Sequence, residues 1–344
     1  MRRVGYLAIG MLTAVGCGKA DTSHPPRQAT TEAAPPEPAP APPGDPMTDR
    51  VRELQPRRAP APCVIADGAL ACWRGDAVVR TPLAGGASTT VEVPDPVRAL
   101  GAGPGGAVVV AQDVGKRVAR LLRLPAGGAA PIEVKAEYAS SFANAAFVYA
   151  PSADRLYVAS SSSLGVYKIG AMVEIAGAGI AWKADQLATV TGLADGVVYG
   201  EGGGLVRIGP GDQRAAFTSP IGSPLHLAAG ADRDHVWATT DGAVALLALA
   251  GDAATVVHKV DVPGVYHLAS FDGAAAVLSV AMKGGAWDAV TLTVIGADGA
   301  VRWRKVVPTP ARQDAAVVAG SGYVAVVLDG TPHLFKAADG AAVP

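Results

Sequence analysis

The chain has 344 residues, half of them hydrophobic, with 29 basic against 30 acidic residues. That supplies ample apolar material for a packed core. No basic stripe stands out, so binding nucleic acid by charge is excluded as a reading. Aromatics make up only 5%, so the core must rest on many small contacts among Ala, Gly and Val.

In chain order, residues 1–16 read as an export signal: Arg2 and Arg3, then a short apolar stretch from Val4 to Val15, then Gly16 before Cys17. The stretch falls short of the roughly 20 residues that span a bilayer and has the layout of a cleaved signal. The segment Leu12-Thr13-Ala14-Val15-Gly16-Cys17 resembles a bacterial lipobox. The resemblance implies lipidation of Cys17 and a membrane-anchored, exported lipoprotein. Ala14 departs from the family, which usually has Leu at that place. Gly18 follows the cysteine where Asp would mark inner-membrane retention, and by the same resemblance this favours the outer membrane. No second apolar run of spanning length follows, so the lipid is the expected anchor.

Residues 17–62 read as a disordered Pro/Ala-rich linker, with 12 of the chain's 27 prolines between 18 and 62. Proline lacks the amide donor and fixes φ, so this stretch cannot build ladders and acts as a semi-rigid tether. Arg50, Arg52, Arg57 and Arg58 form a modest basic cluster beside it, read as a solvated segment.

From Cys63 to Pro344 the chain repeats. Apolar residues that close a strand before a turn recur at Leu83, Leu124, Ile169, Ile208, Leu249, Ile295 and Phe335, at steps of 41, 45, 39, 41, 46 and 40 residues. A second marker, the turn after each first strand, falls at Asp67-Gly68, Gly105-Gly106, Asp154, Asp195-Gly196, Asp234, Asp272-Gly273 and Gly322. Four short strands per unit of about 42 residues predict propeller blades. The expectation is an all-β, seven-bladed β-propeller over 63–344. The last outer strand is stubby. Residues Thr48–Leu54 either complete that blade or form a short helix capped by Thr48.

Two further resemblances rest on single units. Ala297-Asp298-Gly299-Ala300-Val301-Arg302-Trp303 resembles the repeat of quinoprotein-type propellers, in which a Trp follows a Gly turn; Ala338-Asp339-Gly340 keeps only the turn. Cys63 to Trp73 resembles one repeat of chromosome-condensation-regulator-like propellers. The repeats as a whole are WD40-like in length. All imply a propeller, and none implies an activity.

Asp67-Gly68 as a two-residue type I′ turn places Cys63 opposite Cys72 in a non-hydrogen-bonded pair, with Cα atoms about 4.5 Å apart. An exported compartment permits oxidation, so a Cys63–Cys72 disulfide is expected.

No G-x-S-x-G, H-E-x-x-H, P-loop or EF-hand loop occurs, and Gly101–Gly106 matches G-x-G-x-x-G but runs into a strand, leaving no helix for a pyrophosphate. His226 and His267 lie 41 residues apart at equivalent first-strand positions, with Asp314 near the same place in the next unit and Arg98 in the second. First strands line a propeller's channel, so these four form a candidate ligand site at one mouth; two imidazoles and a carboxylate are also a possible metal set. The bland reading is a hydrated channel lining. No catalytic residue, no resident metal and no cofactor is assigned. The expected function is a non-catalytic envelope scaffold, anchored by its lipid and binding another envelope protein. In anchor and repeat type it is similar to the propeller lipoprotein of the outer-membrane barrel-assembly machinery. The alternative is a periplasmic or surface propeller enzyme, or a small-ligand or metal binder using the channel mouth.

Overall fold

A computed structural model describes residues 63–113, 119–134, 145–152, 155–161, 167–174, 179–183, 189–209, 213–284, 286–308 and 315–343. Cys17, Thr48–Leu54, the basic cluster and Asp314 lie outside them.

The described chain folds into seven antiparallel four-stranded sheets. In chain order these are β1 (Cys63–Ala66), β2 (Ala69–Trp73), β3 (Ala77–Pro82) and β4 (Thr89–Glu92); then β5 (Val97–Ala102), β6 (Val108–Asp113), β7 (Ala119–Leu124) and β8 (Ile132–Val134). The third sheet holds β9 (Ala145–Ser152), β10 (Arg155–Ser161), β11 (Tyr167–Glu174) and β12 (Gly179–Lys183), and the fourth β13 (Val190–Leu193), β14 (Gly196–Glu201), β15 (Gly204–Ile208) and β16 (Arg214–Phe217). The fifth holds β17 (Leu227–Ala229), β18 (His235–Thr239), β19 (Ala243–Ala250) and β20 (Ala253–Asp261). The sixth is β21 (Val265–Phe271), β22 (Ala274–Lys283), β23 (Ala286–Ile295) and β24 (Val301–Val307), and the last β25 (Ala315–Gly320), β26 (Tyr323–Leu328), β27 (Thr331–Lys336) and β28 (Ala342–Val343). The first strands neighbour one another in the order β1, β5, β9, β13, β17, β21, β25 and back to β1. This is a closed all-β propeller, with the first strand of each unit innermost.

The sequence explains the hairpins directly. Asp67-Gly68, Asp272-Gly273, Ser321-Gly322 and Asp329-Gly330 all take positive φ, as two-residue turns between right-twisted strands require. Side chains alternate across each sheet, so apolar rows from adjacent blades meet. Val78, Val93, Val108 and Leu124 bury between the first two blades. Leu193, Val236 and Leu247 do so between the fourth and fifth, and Leu278, Leu292 and Val326 between the sixth and seventh. Close approach dictates one glycine here: a Cβ on Gly101 would lie 1.7 Å from the Val148 carbonyl oxygen of the next blade.

The expected seven-bladed propeller is corrected at the third sheet. Six blades follow the sequence repeat, with the marker residue at or near the end of the third strand or just after it: Leu83, Leu124, Ile208, Leu249, Ile295 and Phe335. In β9–β12 the marker fails, because Ile169 stands near the start of β11. Register shifts interrupt all three pairings of that sheet, and its described apolar packing is carried by Phe147, Val148, Tyr149 and Tyr157. The chain passes through Gly170 without turning and stays extended to Glu174, so the glycine after Ile169 does not mark the end of the third strand there. The last outer strand is the two-residue β28, paired to Leu334 and Phe335.

Candidate functional site

Four side chains were predicted to meet at a channel mouth, and the structure brings two of them together. His226 directly precedes β17 and is held by Thr239 on both sides of its backbone: its N–H donates to Thr239 Oγ1 (3.0 Å) and its carbonyl accepts the Thr239 N–H (3.1 Å). Thr239 is itself fully buried. The His226 side chain is buried, and its Nε2 has no hydrogen-bond partner among the described residues.

His267 lies on β21, where the register slips between Val265 and His267. Its ring centroid is 6.0 Å from that of His226, with the planes inclined by 45°. Across the next junction the Val317 N–H of β25 donates to His267 Nδ1 at 3.4 Å. Accepting that bond places the His267 proton on Nε2.

Burial pushes both imidazoles down. His226 falls to about 3, by desolvation and then by the neighbouring His267, and His267 to about 4 by desolvation. Both are therefore neutral near pH 7. No group of three or more His, Cys, Asp or Glu suited to a metal occurs among the described residues.

Arg98 does not join them. It is exposed on β5, whose ring neighbours are β1 and β9 rather than β17 or β21. Asp314, the fourth candidate, lies outside the described residues, just before β25.

The disulfide is formed. Cys63 and Cys72 pair in the anticipated register, with Ala66 opposite Ala69, and their Cα atoms are 4.1 Å apart. Both sit buried at the junction of the first and last blades.

Sequence reasoning missed the polar clasps between blades. Arg80, almost fully buried, reaches from β3 into the second blade, donating to the Pro125 carbonyl at 2.7 Å and to the Gly106 carbonyl. Burial lowers its pKa while nearby Asp67 opposes that shift. Tyr149 donates to the Leu193 carbonyl (2.8 Å), Arg207 to Asp234 (2.6 Å) and Trp237 to the Gly273 carbonyl (2.9 Å), each across one junction. No local signal marks these residues, because each acceptor lies 26 to 45 positions away.

Trp303 belongs to the same set. Its indole N–H donates to the Ala337 carbonyl at 2.8 Å, and its ring lies on Gly340, where a Cβ would come within 2.9 Å. His258 lies likewise against Gly299, and Thr89 against Gly128. An outer-strand side chain thus rests on the following blade's last turn at three junctions. Trp303 does structural work here, between the sixth and seventh blades.

No protein-family model matches the sequence. No curated protein matches it significantly. Solved structures do match. The chain is similar to Hsv2 of Kluyveromyces lactis, with a TM-score of 0.55 and 11% identity over 80% of this chain and 93% of that one. It is similar to the Cps50 (Swd1) β-propeller domain of Myceliophteria thermophila, at 0.52 and 13% over 80% and 95%. The RRP9 WD40 repeats match at 0.51 and 13% over 80% and 89%. Likeness at such identities speaks for the fold alone, and that fold is a WD40-like β-propeller.

Proposed function

We propose that this chain is a non-catalytic lipoprotein of the cell envelope, lipidated at Cys17, whose propeller serves as a protein-binding scaffold. The observation that carries the scaffold reading is the rim of the fifth and sixth blades. Val256 and Val257 on β20 are 44% and 43% exposed, and Val301 and Val306 on β24 are 40% and 71% exposed. Both strands are outer edges of their sheets. Exposed apolar side chains on the outer edge strands of successive blades suit a protein interface. The lipidated address is supported by the charged start, short apolar stretch and Gly16-Cys17 of the sequence, and the disulfide suits an oxidising compartment.

Affinity purification from detergent-solubilised envelope tests this, comparing the native protein with a variant carrying Thr at Val256, Val257, Val301 and Val306. The expected result is a stoichiometric partner that the variant loses. Equal recovery by both, or no partner with either, defeats the rim as the docking surface. Labelling with a radioactive fatty acid, abolished by Cys17→Ser, tests the anchor separately.

A second reading rests on the unpartnered Nε2 of His226 beside His267: the channel binds a small ligand or metal ion there. Titration with zinc alone, comparing the native protein with the His226→Ala, His267→Ala double variant, decides it. Identical isotherms reject this second reading.

A further inference from the structure

A cavity of about 540 Å³ opens between the fifth and sixth blades, within the size range of small-molecule sites. One wall is a face of the sixth sheet whose chemistry changes along its length. Ser279 stands opposite Thr291, Val277 opposite Thr293, and Thr293 opposite Arg304. These side chains share one face, because paired residues in a sheet point the same way. At the buried end Val277 packs with Val265 and Ile295 against the fifth blade. Toward the mouth the same face carries three hydroxyl groups and then a guanidinium. Thr293 is 1% exposed, so its position in the wall is rigidly defined.

The floor and the opposite wall are of another kind. Val262, Pro263 and Ala281 supply apolar surface, and Asp241 stands on the turn between β18 and β19. Neither Arg304 nor Asp241 forms an ion pair with another described residue. Five other described arginines do: Arg120, Arg207, Arg214, Arg233 and Arg302 are each within salt-bridge distance of a carboxylate. Arg304 therefore keeps its planar donors available at the rim of an apolar cavity.

We propose that this cleft binds a small carboxylate bearing a short apolar side chain, with its carboxylate on Arg304 and the Thr291 hydroxyl, and its apolar group against Val262, Pro263 and Ala281. A guanidinium is the side chain best matched to a carboxylate, which it meets through two parallel hydrogen bonds. The same chemistry is offered by a free apolar amino acid and by the C-terminal residue of a peptide. Asp241 distinguishes them, because only the free amino acid brings an ammonium group.

Calorimetric titration of the purified full-length chain with L-leucine, N-acetyl-L-leucine and L-leucinamide tests the site. The expected result is that at least one of the two carboxylates binds, while leucinamide, which has no carboxylate, binds at least about tenfold more weakly. Arg304→Gln should weaken carboxylate binding by a similar factor and leave the melting temperature in place, since Arg304 is exposed. If L-leucine binds more tightly than its N-acetyl form and Asp241→Asn removes the advantage, the ligand is a free amino acid. If N-acetyl-L-leucine binds at least as well and ignores Asp241→Asn, it is a peptide terminus. Absence of binding by both carboxylates at millimolar concentration, equal binding of leucinamide, or indifference to Arg304→Gln overturns the proposal.

Discussion

The junction between the sixth and seventh blades and the junction between the seventh and first close the same ring by different means. At the former the chain runs on from one blade to the next. There a broad apolar cluster, built from Leu278, Leu292, Val294, Val324 and Val326 among others, is joined by the Trp303 clasp and by the hydrogen bond from Val317 to His267. At the latter the two blades come from opposite ends of the propeller and share no strand, since β1–β4 and β25–β28 are separate sheets. The cluster is smaller, with Cys63, Ile65, Leu70 and Cys72 facing Ala325 and Val327. A polar contact across it is the Gly68 N–H donating to Ser321 Oγ at 3.1 Å. A covalent bond between β1 and β2 stiffens the first blade at this seam. Where sequence continuity holds two blades near each other, side-chain packing suffices. Where it does not, the weaker seam coincides with the disulfide.

This contrast makes the two junctions sensitive to different conditions, and acid should have the largest effect. His226 and His267 are neutral in the fold, with values near 3 and 4 against an ordinary 6.5. The unfolded chain therefore binds more protons below pH 6.5, and stability falls as the pH drops from about 6.5 toward 4. The slope is on the order of 1.4 kcal/mol per pH unit for each imidazole, accumulating to several kcal/mol. Protonating His267 also removes the acceptor for Val317. Denaturant melts across this range check it, and a His267→Gln variant should have a shallower slope; a flat profile between pH 6.5 and 4 contradicts the assignment.

Next in size is Trp303→Ala, which strips both the ring from Gly340 and the bond to Ala337. A loss of about 2–4 kcal/mol is expected, with Trp303→Phe losing about 1 kcal/mol through the bond alone. If the two variants unfold at the same denaturant concentration, ring packing on Gly340 contributes nothing.

Replacing Cys63 and Cys72 by Ala should cost about 2.5 kcal/mol, the constraint that a loop of this length places on the unfolded chain. The native protein should lose the same amount on adding reductant, and the variant nothing. Reductant sensitivity in the double variant would refute the assignment of the effect to this bond. The smallest effect belongs to Ser321→Ala, at about 0.5–1 kcal/mol, because the bond it removes is exposed. Hydrogen exchange at Gly68 should rise in that variant while exchange at the sixth-seventh junction stays constant.

Much of the architecture was legible in the chain. Asp67-Gly68 and Asp272-Gly273 announce positive-φ hairpin turns, and the 41-residue step from His226 to His267 matched equivalent positions at the first strands of successive blades. The Cys63–Cys72 pairing followed from a two-residue turn, since every pairing outward from such a turn is then fixed. The third sheet was not legible. Gly170 reads as the turn that follows Ile169, but β11 runs on through it to Glu174, and Ile169 misled for that reason.

The candidate site divided along the same line. Periodicity placed Arg98, His226 and His267 on innermost strands or beside them, and repeat order set the two histidines in successive blades, but not how close their rings come or whether Arg98 reaches them across the channel. Closure put β17 beside β21 and left β5 elsewhere, so the histidines met and Arg98 did not. The clasps of Arg80, Tyr149, Trp237 and Trp303, and the hydroxyl wall leading to Arg304, likewise required tertiary structure. Local turns and alternating strands are decided by neighbours a few residues apart, which a sequence displays. Which side chain finds a carbonyl 26 to 45 residues away, or which faces of two blades leave a cavity between them, is decided only when the ring closes and fixes every blade against the next.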